Sequence, residues 1–511
     1  DPDIPNEPTS VITKASDGSI ISNESYKYDD LGNVKEEKDL VSNKITQYEY
    51  DDNGNNTNIL KVRDDRDCIR LIWHEAEDKA ESKFMIDATY KPDWCSGDTC
   101  TKSELRSRIE PWLTSLFQSE HLSLLVGSGL TTAIQIDACG SANNGMNSDS
   151  GFTVFSEEIE KAAREGAEKS GRKEANIEDQ IRVANEIIKG LTALRDSSDI
   201  SGIVPKLDSL RSNLENVIEK FTNNISVIES SIAGAATKKR EAAFNKLVLF
   251  LMSFASRTGT RDRLNIFTTN YDRLIEAGAD VAGLRLIDRF VGALSPIFRS
   301  SRMDVDMHYN PPGIRGEPRY LEGVARFTKL HGSLDWINVG EDIRRIGLPF
   351  GAKSIKPFLE TAGIDASLLS LMIYPNSAKD RETAEYPYVE LFRDFAAALC
   401  RPNSTLVTYG YSFGDDHINR VIRDMLTIPS THIVIIDYSD SSGRIMDKYN
   451  SWGHQSQMSL IIGKDLANIE DLVNYYLPKP SIDRASIRMA DILKQRFSQP
   501  PKKDQEGESE S

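Results

Sequence analysis

The chain has 511 residues, more than the roughly 250–300 at which a single core stops growing, so we expect one large domain with appended segments. Its hydrophobic share of 39% and charged share of 27% are ordinary for a globular protein, and no stretch approaches the about 20 apolar residues of a membrane span. The formal net charge of -16 argues against a general polyanion binder, because phosphate affinity of that kind needs clustered Lys and Arg.

The five cysteines are few, odd in number and irregularly spaced, which is typical of reduced thiols and not of a disulfide framework. They indicate a cytoplasmic protein. Cys95 and Cys100 could form half of a metal site, but no second pair follows them, so we expect no metal. The chain opens on Asp1 without the basic-then-apolar pattern of a signal peptide, and we allow for a native start upstream.

The first segment, residues 1–62, is acidic and poor in large aliphatic side chains. It contains the motif Tyr-x-Tyr-Asp-Asp-x-Gly-Asn twice, at 26–33 and at 48–55. Alternating Tyr before a Gly-Asn turn predicts short strands and hairpins, and the two copies resemble degenerate YD repeats of the Rhs type. We interpret 1–62 as a small β appendage used for contacts, with a toxin-delivery remnant as the alternative.

The remaining boundaries follow from changes in sequence pattern. Residues 63–100 are interpreted as a linker, and the capping-box spacing of Thr101 and Glu104 starts the main domain, 101–497. Within it, residues 155–258 have an almost wholly helical pattern, which predicts a helical insertion that covers a core or binds a partner. Residues 498–511 have the composition of a disordered tail.

Four segments of the main domain share one design, a short apolar run that stops abruptly at small or polar residues. They are LSLLVGSGL from Leu122, LNIFTTNYD from Leu264, RFTKLHG from Arg326, and TLVTYGYS from Thr405, which a second apolar run ending at Asp437 follows. Each pattern predicts a buried strand with candidate functional residues at its carboxyl end. We predict a Rossmann-like, doubly wound parallel sheet of the α/β class, in which these ends line one crevice.

The glycine turns and the last acidic residue are candidates for nucleotide contacts. Gly127, Ser128 and Gly129 form a strand-to-helix turn that could cradle a pyrophosphate or serve packing alone. Asp437 closes its strand and could accept a hydrogen bond from a ribose, or stand there as a turn residue.

The other two strand ends supply candidate catalytic groups. The Asn270 carboxamide offers a donor and an acceptor to a ribose hydroxyl or a water, and Thr269 stands beside it. Asp272 either joins this cluster or caps the next helix. His331, before Gly332, is either catalytic or structural.

The motifs GSG, TTNYD, HG and GYS resemble the sirtuin family, whose patterns GAG, TQNxD, HG and GTS occur in the same order. The resemblance spans residues 122–438 and is strongest toward bacterial antiphage sirtuin-like NADases encoded beside a HerA-type ATPase, through TTNYD, KLHGSL, the IYP run at 373–375 and FGDDHINR. It implies that NAD is the substrate and assigns roles to individual positions. Phosphate and nucleotide contacts fall to Gly127, Ser128, Gly129, Thr269, Gly410 and Ser412, a ribose contact to Asp437, the nicotinamide ribose side to Asn270 and Asp272, and the catalytic base to His331.

Two departures from the deacylase pattern shift the expected chemistry. The paired CxxC motifs of the structural zinc module are missing, since only Cys400 falls between the HG and GYS segments. The PDFR-like run after the first glycine motif is also missing, and an Asn, Ser and Gly loop from Ala138 to Gly151 takes its place. Both departures favour hydrolysis of NAD to nicotinamide and ADP-ribose over deacylation.

NAD carries a cationic leaving group, so cleavage needs stabilisation of an oxocarbenium-like ribose and no general acid. Asn270 would orient the water or a ribose hydroxyl, His331 would accept a proton, and Asp272 would support the ribose or Asn270.

An NAD-dependent deacylase, a sensor of NAD or ADP-ribose, and the toxic end of a delivered Rhs-type protein remain alternatives. Because an unrestrained NADase would kill its own cell, we expect gating by homo-oligomerisation, a HerA-like hexameric ATPase or a phage-derived activator, with no nucleic-acid or membrane site.

Overall fold

The computed structural model describes residues 10–14, 20–28, 34–39, 44–47, 57–62, 65–74, 82–86, 92, 94–95, 97–142, 151–169, 175–195, 202–257, 261–309, 319–359, 366–373, 386–440 and 443–479. The second YD-like copy, most of the IYP run and the predicted tail lie outside these residues. All five cysteines are free thiols. Among the helices of the described ranges, none combines the length and the apolar character needed to cross a membrane.

The strands are numbered in chain order. They are β1 Ser10–Lys14, β2 Ile20–Tyr28, β3 Val34–Asp39, β4 Lys44–Gln47, β5 Thr57–Lys61, β6 Ile69–His74, β7 Lys83–Ile86, β8 Thr99–Cys100, β9 His121–Val126, β10 Leu264–Thr268, β11 Arg285–Ile287, β12 Phe290–Val291, β13 Ile297–Phe298, β14 His308–Tyr309, β15 Arg319–Tyr320, β16 Val324–Lys329, β17 Gly332–Val339, β18 Asp342–Arg345, β19 Leu371–Ile373, β20 Ser404–Tyr409, β21 His432–Asp437 and β22 Met458–Ile462.

The α-helices are numbered in the same way. They are α1 Lys102–Phe117, α2 Ser128–Cys139, α3 Ser156–Lys169, α4 Ile177–Ala193, α5 Ile203–Gly234, α6 Thr237–Ala255, α7 Leu274–Ala282, α8 Lys356–Leu359, α9 Tyr388–Leu399, α10 Asp416–Leu426, α11 Arg444–Ser451 and α12 Ile469–Asp471. The predicted capping box opens α1, where Thr101 Oγ1 accepts from the Glu104 N–H and the Glu104 side chain accepts from the Thr101 N–H.

The central sheet has eleven strands in the order β11-β16-β10-β9-β20-β21-β22-β5-β6-β7-β8. From β11 to β22 all neighbours pair in parallel, and from β22 onward the pairs are antiparallel. In chain order the six strands β9, β10, β16, β20, β21 and β22 take the spatial order 3-2-1-4-5-6 of a dinucleotide-binding fold. The predicted α/β class with a Rossmann-like sheet is confirmed.

The parallel strands are buried on both faces, as a sheet between two helical layers requires. On β9, Leu122, Leu124 and Val126 join a core with α1, α2, α6 and α7, while Leu125 joins a second core with α9, α10 and α11. The alternation follows from the period of two along a strand. It places the two helical layers on opposite faces of the sheet.

The segment predicted as a helical insertion is divided between two cores. Helices α3, α4 and α5 share a core with Leu334 and Ile337 of β17. Helix α6 instead buries Phe244, Leu247 and Leu251 in the core of the central sheet. The first three helices are therefore appended to the central-sheet unit, with Ile232 near the end of α5 reaching its core.

The sequence predicts a linker at residues 63–100, but the structure shows that this segment forms strands of the central sheet. It contributes β6, β7 and β8 to the antiparallel edge of the central sheet, and β5 from the predicted appendage pairs directly with β22. Buried Leu60, Leu71 and Phe84 secure these strands to the main core. The remaining strands of residues 1–62, β1 to β4, form a separate antiparallel sheet.

Candidate functional site

The carboxyl ends of the central parallel strands lie at one level. Lys329 of β16 is the register partner of Thr268 in β10, Thr268 of Val126 in β9, and Val126 of Tyr409 in β20. The residues that follow these four positions are therefore brought side by side along one edge. The reversal of strand order between β9 and β20 makes that edge the crevice in which this type of fold binds ligands.

The two glycine loops meet at this crevice. The Gly127 N–H donates to Tyr409 O at 3.0 Å and the Gly129 N–H donates to Gly410 O at 3.1 Å. A Cβ on Gly127 would lie 2.2 Å from Gly410 O, and one on Gly129 would lie 2.5 Å from Gly410 Cα. Close contact between the loops thus accounts for glycine at these positions, and phosphate binding by them stays a prediction.

A positively charged side chain that the sequence did not predict lies beside the second glycine loop, which contains Gly410, Ser412 and Gly414. Ser412 is exposed, and a Cβ on Gly414 would lie 2.7 Å from Arg444 Nη1 and 3.6 Å from Ser412 Oγ. Arg444 is the first residue of α11, remote in sequence from the GYS motif. Its guanidinium gives this loop a charge complementary to a phosphate.

Asn270 fastens the turn after β10 to the first glycine loop. Its Nδ2 donates to Gly127 O at 3.0 Å and to Thr131 Oγ1 at 3.1 Å. A backbone carbonyl can only accept, so the amide nitrogen must face it and Oδ1 points elsewhere. The half-buried Asn270 therefore has a carbonyl oxygen suited to accept a hydrogen bond from a hydroxyl or a water.

Asp272 belongs to the same network through Thr131. Thr131 Oγ1 donates to Asp272 Oδ2 at 2.8 Å, and Asp272 Oδ1 accepts the Leu274 N–H at 3.0 Å. Asp272, the residue before the N-cap Arg273, thus accepts the first backbone N–H of α7 and also holds the threonine to which Asn270 donates. Sequence reasoning missed Thr131, whose signal was its position one helical turn after the first glycine of the GSG loop.

Thr269 is the first residue of the turn that follows β10. Its N–H donates to Val126 O at 3.4 Å, while Thr268 Oγ1 donates to the same oxygen at 2.9 Å and accepts the Asn270 N–H at 3.0 Å. The backbone of the turn is therefore fixed before any ligand arrives.

His331 follows β16 at the adjacent strand end. The Leu330 N–H donates to Thr268 O at 2.8 Å, which ties the His331 segment to the Asn270 turn. Gly332 has φ +89, and a Cβ there would lie 2.0 Å from Met372 O, so glycine is required after the histidine. The His331 ring is buried, at 8% exposure.

A second histidine lies against His331. His417 Nε2 is 3.2 Å from His331 Nε2, and the two ring planes are 32° apart. His417 is the second residue of α10, within the FGDDHINR motif. The sequence reading had linked this motif to the family without giving the histidine a role.

The turn after β10 is also anchored to the appended helices. Tyr271 is buried, and its hydroxyl donates to Glu178 Oε1 of α4 at 3.2 Å. Arg273 forms a buried ion pair with Glu229 of α5. From the other side, Lys329 donates to Glu276 Oε1 at 3.1 Å and to the backbone carbonyl of Asp272. The candidate catalytic turn is held on both flanks by charged side chains.

Asp437 lies at the same edge but two strands away from β9, with β20 between them. The spacing of strands places β21 about 10 Å from β9. Asp437 Oδ1 accepts the Ser439 N–H at 3.3 Å, and burial raises the pKa of this carboxyl to about 7. Among the sequence-predicted residues it stands apart from the Asn270 and His331 cluster, on the other half of the crevice.

Comparison with protein families matches one part of the chain. Residues 264–456 match the SIR2-like domain. The match supports a sirtuin-like protein and fits an NAD-dependent enzyme in general, since SIR2-like domains use NAD. It covers β10 through α11 and includes both candidate catalytic side chains, whereas the GSG loop lies before its first residue. A comparison with curated proteins found no match.

Within the described part of the chain, no group of three His, Cys, Asp or Glu side chains is arranged to hold a metal ion.

Proposed function

We propose that this protein is an NAD+ hydrolase that cleaves NAD to nicotinamide and ADP-ribose. The observation that carries the proposal is the placement of Asn270 and His331 at the ends of adjacent strands, beside two glycine loops at the point where the strand order reverses. The SIR2-like match over the same residues supports NAD as the ligand.

The chemistry requires little beyond positioning. The nicotinamide leaves as a neutral molecule, so the positive charge moves to the ribose as the glycosidic bond breaks. Asn270 Oδ1, turned away from the amide contacts with Gly127 and Thr131, accepts a hydrogen bond from the attacking water or a ribose hydroxyl. His331 accepts the proton that is released. One NAD+ and one water yield nicotinamide, ADP-ribose and one proton.

Asp272 acts indirectly in this scheme. It holds Thr131, and Thr131 holds the amide nitrogen of Asn270. Asp437, with Gly410 and Ser412, would bind the other half of the dinucleotide. The Arg444 guanidinium near Ser412 would add an electrostatic contact to the pyrophosphate.

Release of fluorescence from etheno-NAD tests the assignment. Asn270→Ala and His331→Ala should each lower turnover by at least about 100-fold, the usual cost of removing a positioned polar group or a base. Asn265→Ala, on the same strand β10, and His74→Ala, at the exposed last residue of β6, are matched controls that should retain wild-type turnover. Full activity in both site variants refutes the mechanism.

The same assay separates the alternatives. Tight binding of NAD with no nicotinamide release under any condition, with or without the candidate activators, identifies a sensor of NAD or ADP-ribose. Nicotinamide release that depends on an acylated lysine peptide identifies a deacylase, whereas the proposed hydrolase needs water alone.

We further propose that the activity serves antiphage defence by depleting NAD in the cytoplasm, with a homo-oligomer, a HerA-like ATPase or a phage-derived activator as the gate. The motif resemblance supports this proposal. Mass measurement of the purified chain alone and with a candidate ATPase tests the assembly, and cellular NAD measured during phage infection tests the role. A neighbouring immunity gene would instead favour a delivered Rhs-type toxin.

A further inference from the structure

His417 is held in place by a well-packed helix. It occupies the second position of α10, whose Ile418 and Ile422 are fully buried in the core beside the central sheet. The loop before the helix is fixed by Asn419, which donates to Phe413 O at 2.9 Å and accepts the Tyr411 hydroxyl at 3.2 Å. The His417 ring is therefore presented to its neighbours from a rigid support.

The neighbour of greatest chemical consequence is His331. The two Nε2 atoms are 3.2 Å apart, a hydrogen-bond distance for two ring nitrogens. Such a bond requires a proton on one nitrogen and a lone pair on the other, so the two rings cannot both be protonated at Nε2 while it persists. The pair thus couples the two histidines, because whichever Nε2 carries the proton donates to the other.

The surroundings of the two rings strengthen the hydrogen bond between them. Both rings are buried, at 8% exposure for His331 and 7% for His417. Phe392 packs edge-on against His417 at a centroid distance of 4.7 Å, and Tyr271 lies 6.5 Å from His331. Aromatic walls limit solvent access, and a hydrogen bond that carries charge is stronger in such an environment.

We infer that His417 is a positioning residue for His331 in the proposed hydrolysis of NAD, on which this inference rests. In the tautomer that makes His331 a base, its Nε2–H donates to His417 Nε2. When the other ring nitrogen of His331 takes up the proton from the water or ribose hydroxyl, the hydrogen bond to His417 remains and becomes charge-assisted. His417 thereby fixes the orientation of the base and stabilises the imidazolium that forms. This is the role that a carboxylate fills beside the histidine of a catalytic triad.

Two substitutions separate this role from packing. His417→Gln places an amide near the position of Nε2, where its oxygen can accept the hydrogen bond from His331. His417→Ala removes the acceptor. With full-length protein and etheno-NAD, we expect His417→Ala to lower kcat about 100-fold with KM within about threefold, and His417→Gln to recover at least about tenfold of that loss. Arg423→Ala, on the exposed face of the same helix, is the control and should match the wild type.

Several results overturn the inference. Wild-type kcat in His417→Ala does so, as does an effect confined to KM, or a His417→Gln variant no more active than His417→Ala. His331→Ala, assayed in parallel, distinguishes the two levels of the argument. If the wild type releases no nicotinamide, either alone or with the candidate ATPase and phage-derived activators, the proposed function fails. If the wild type is active, His331→Ala is inactive and His417→Ala is unimpaired, only the role of His417 fails.

Discussion

The ion pair between Arg273 and Glu229 links the candidate catalytic turn to the appended helices, and its removal is expected to be costly. Both side chains are buried, Glu229 at 1% exposure and Arg273 at 6%. Glu229 Oε1 accepts from the Arg273 N–H at 2.8 Å and from Nε at 3.2 Å, and Oε2 accepts from Nη2. The guanidinium also donates to Pro349 O at 3.0 Å.

Glu229→Ala leaves this guanidinium buried beside backbone carbonyls but without its counter-charge. Breaking a buried ion pair by removing one partner costs about 3–5 kcal/mol. For a domain of this size, that loss corresponds to a fall in melting temperature of roughly 5 °C or more. Glu219→Ala is the matched control, because Glu219 lies on the same helix and pairs with the exposed Lys356 at 2.7 Å. Its expected cost is below about 1 kcal/mol.

Differential scanning calorimetry on both variants and the wild type measures the effect. A double variant in which Met replaces both Arg273 and Glu229 should recover most of the loss, because no charge is then left unpaired. A Glu229→Ala melting temperature equal to that of Glu219→Ala refutes the reasoning. Because Arg273 follows Asp272 directly, turnover should fall together with stability in Glu229→Ala and remain unchanged in Glu219→Ala.

Three further predictions concern the crevice, and the second has a control at Gly190 in helix α4. Burial raises the pKa of Asp437 to about 7, and only the ionised carboxylate accepts a hydrogen bond from a ribose hydroxyl well. The affinity for NAD, measured by calorimetry, should therefore increase from pH 6 to pH 8 in the wild type. In Asp437→Asn it should stay level over the same range. Gly129→Ala should cost about 1–3 kcal/mol and weaken NAD binding, because its Cβ would lie 2.5 Å from the backbone of the second glycine loop. Gly190→Ala, a helical site with open space, should instead stabilise the fold by up to about 1 kcal/mol in the same thermal assay. Thr131→Val removes the hydroxyl that holds Asn270 and should lower kcat about tenfold, whereas Thr131→Ser should not; equal rates in the two variants contradict the network.

The main architecture could be predicted from the sequence because each strand is signalled by a pattern within its own short segment. Apolar runs that end at glycine or polar residues predict buried strands with functional ends, and their succession predicts a parallel sheet. This reasoning placed Asn270 and His331 at neighbouring strand ends, and the register of β9, β10 and β16 brings them together there. The assignment of 63–100 as a linker failed because strands of two to six residues carry little periodic signal until a neighbouring sheet edge pairs with them.

Contacts between distant segments were decided only by the tertiary structure. Thr131 and Asp272 lie 141 positions apart, and His331 and His417 lie 86 apart, yet each pair is in hydrogen-bond contact. No periodicity within one segment encodes such a meeting, because it depends on the order of strands in the sheet and on the helices that pack against it. The GSG loop shows both contributions at once: its glycines were evident from the sequence, but the close contact with Gly410 that requires them exists only in the fold.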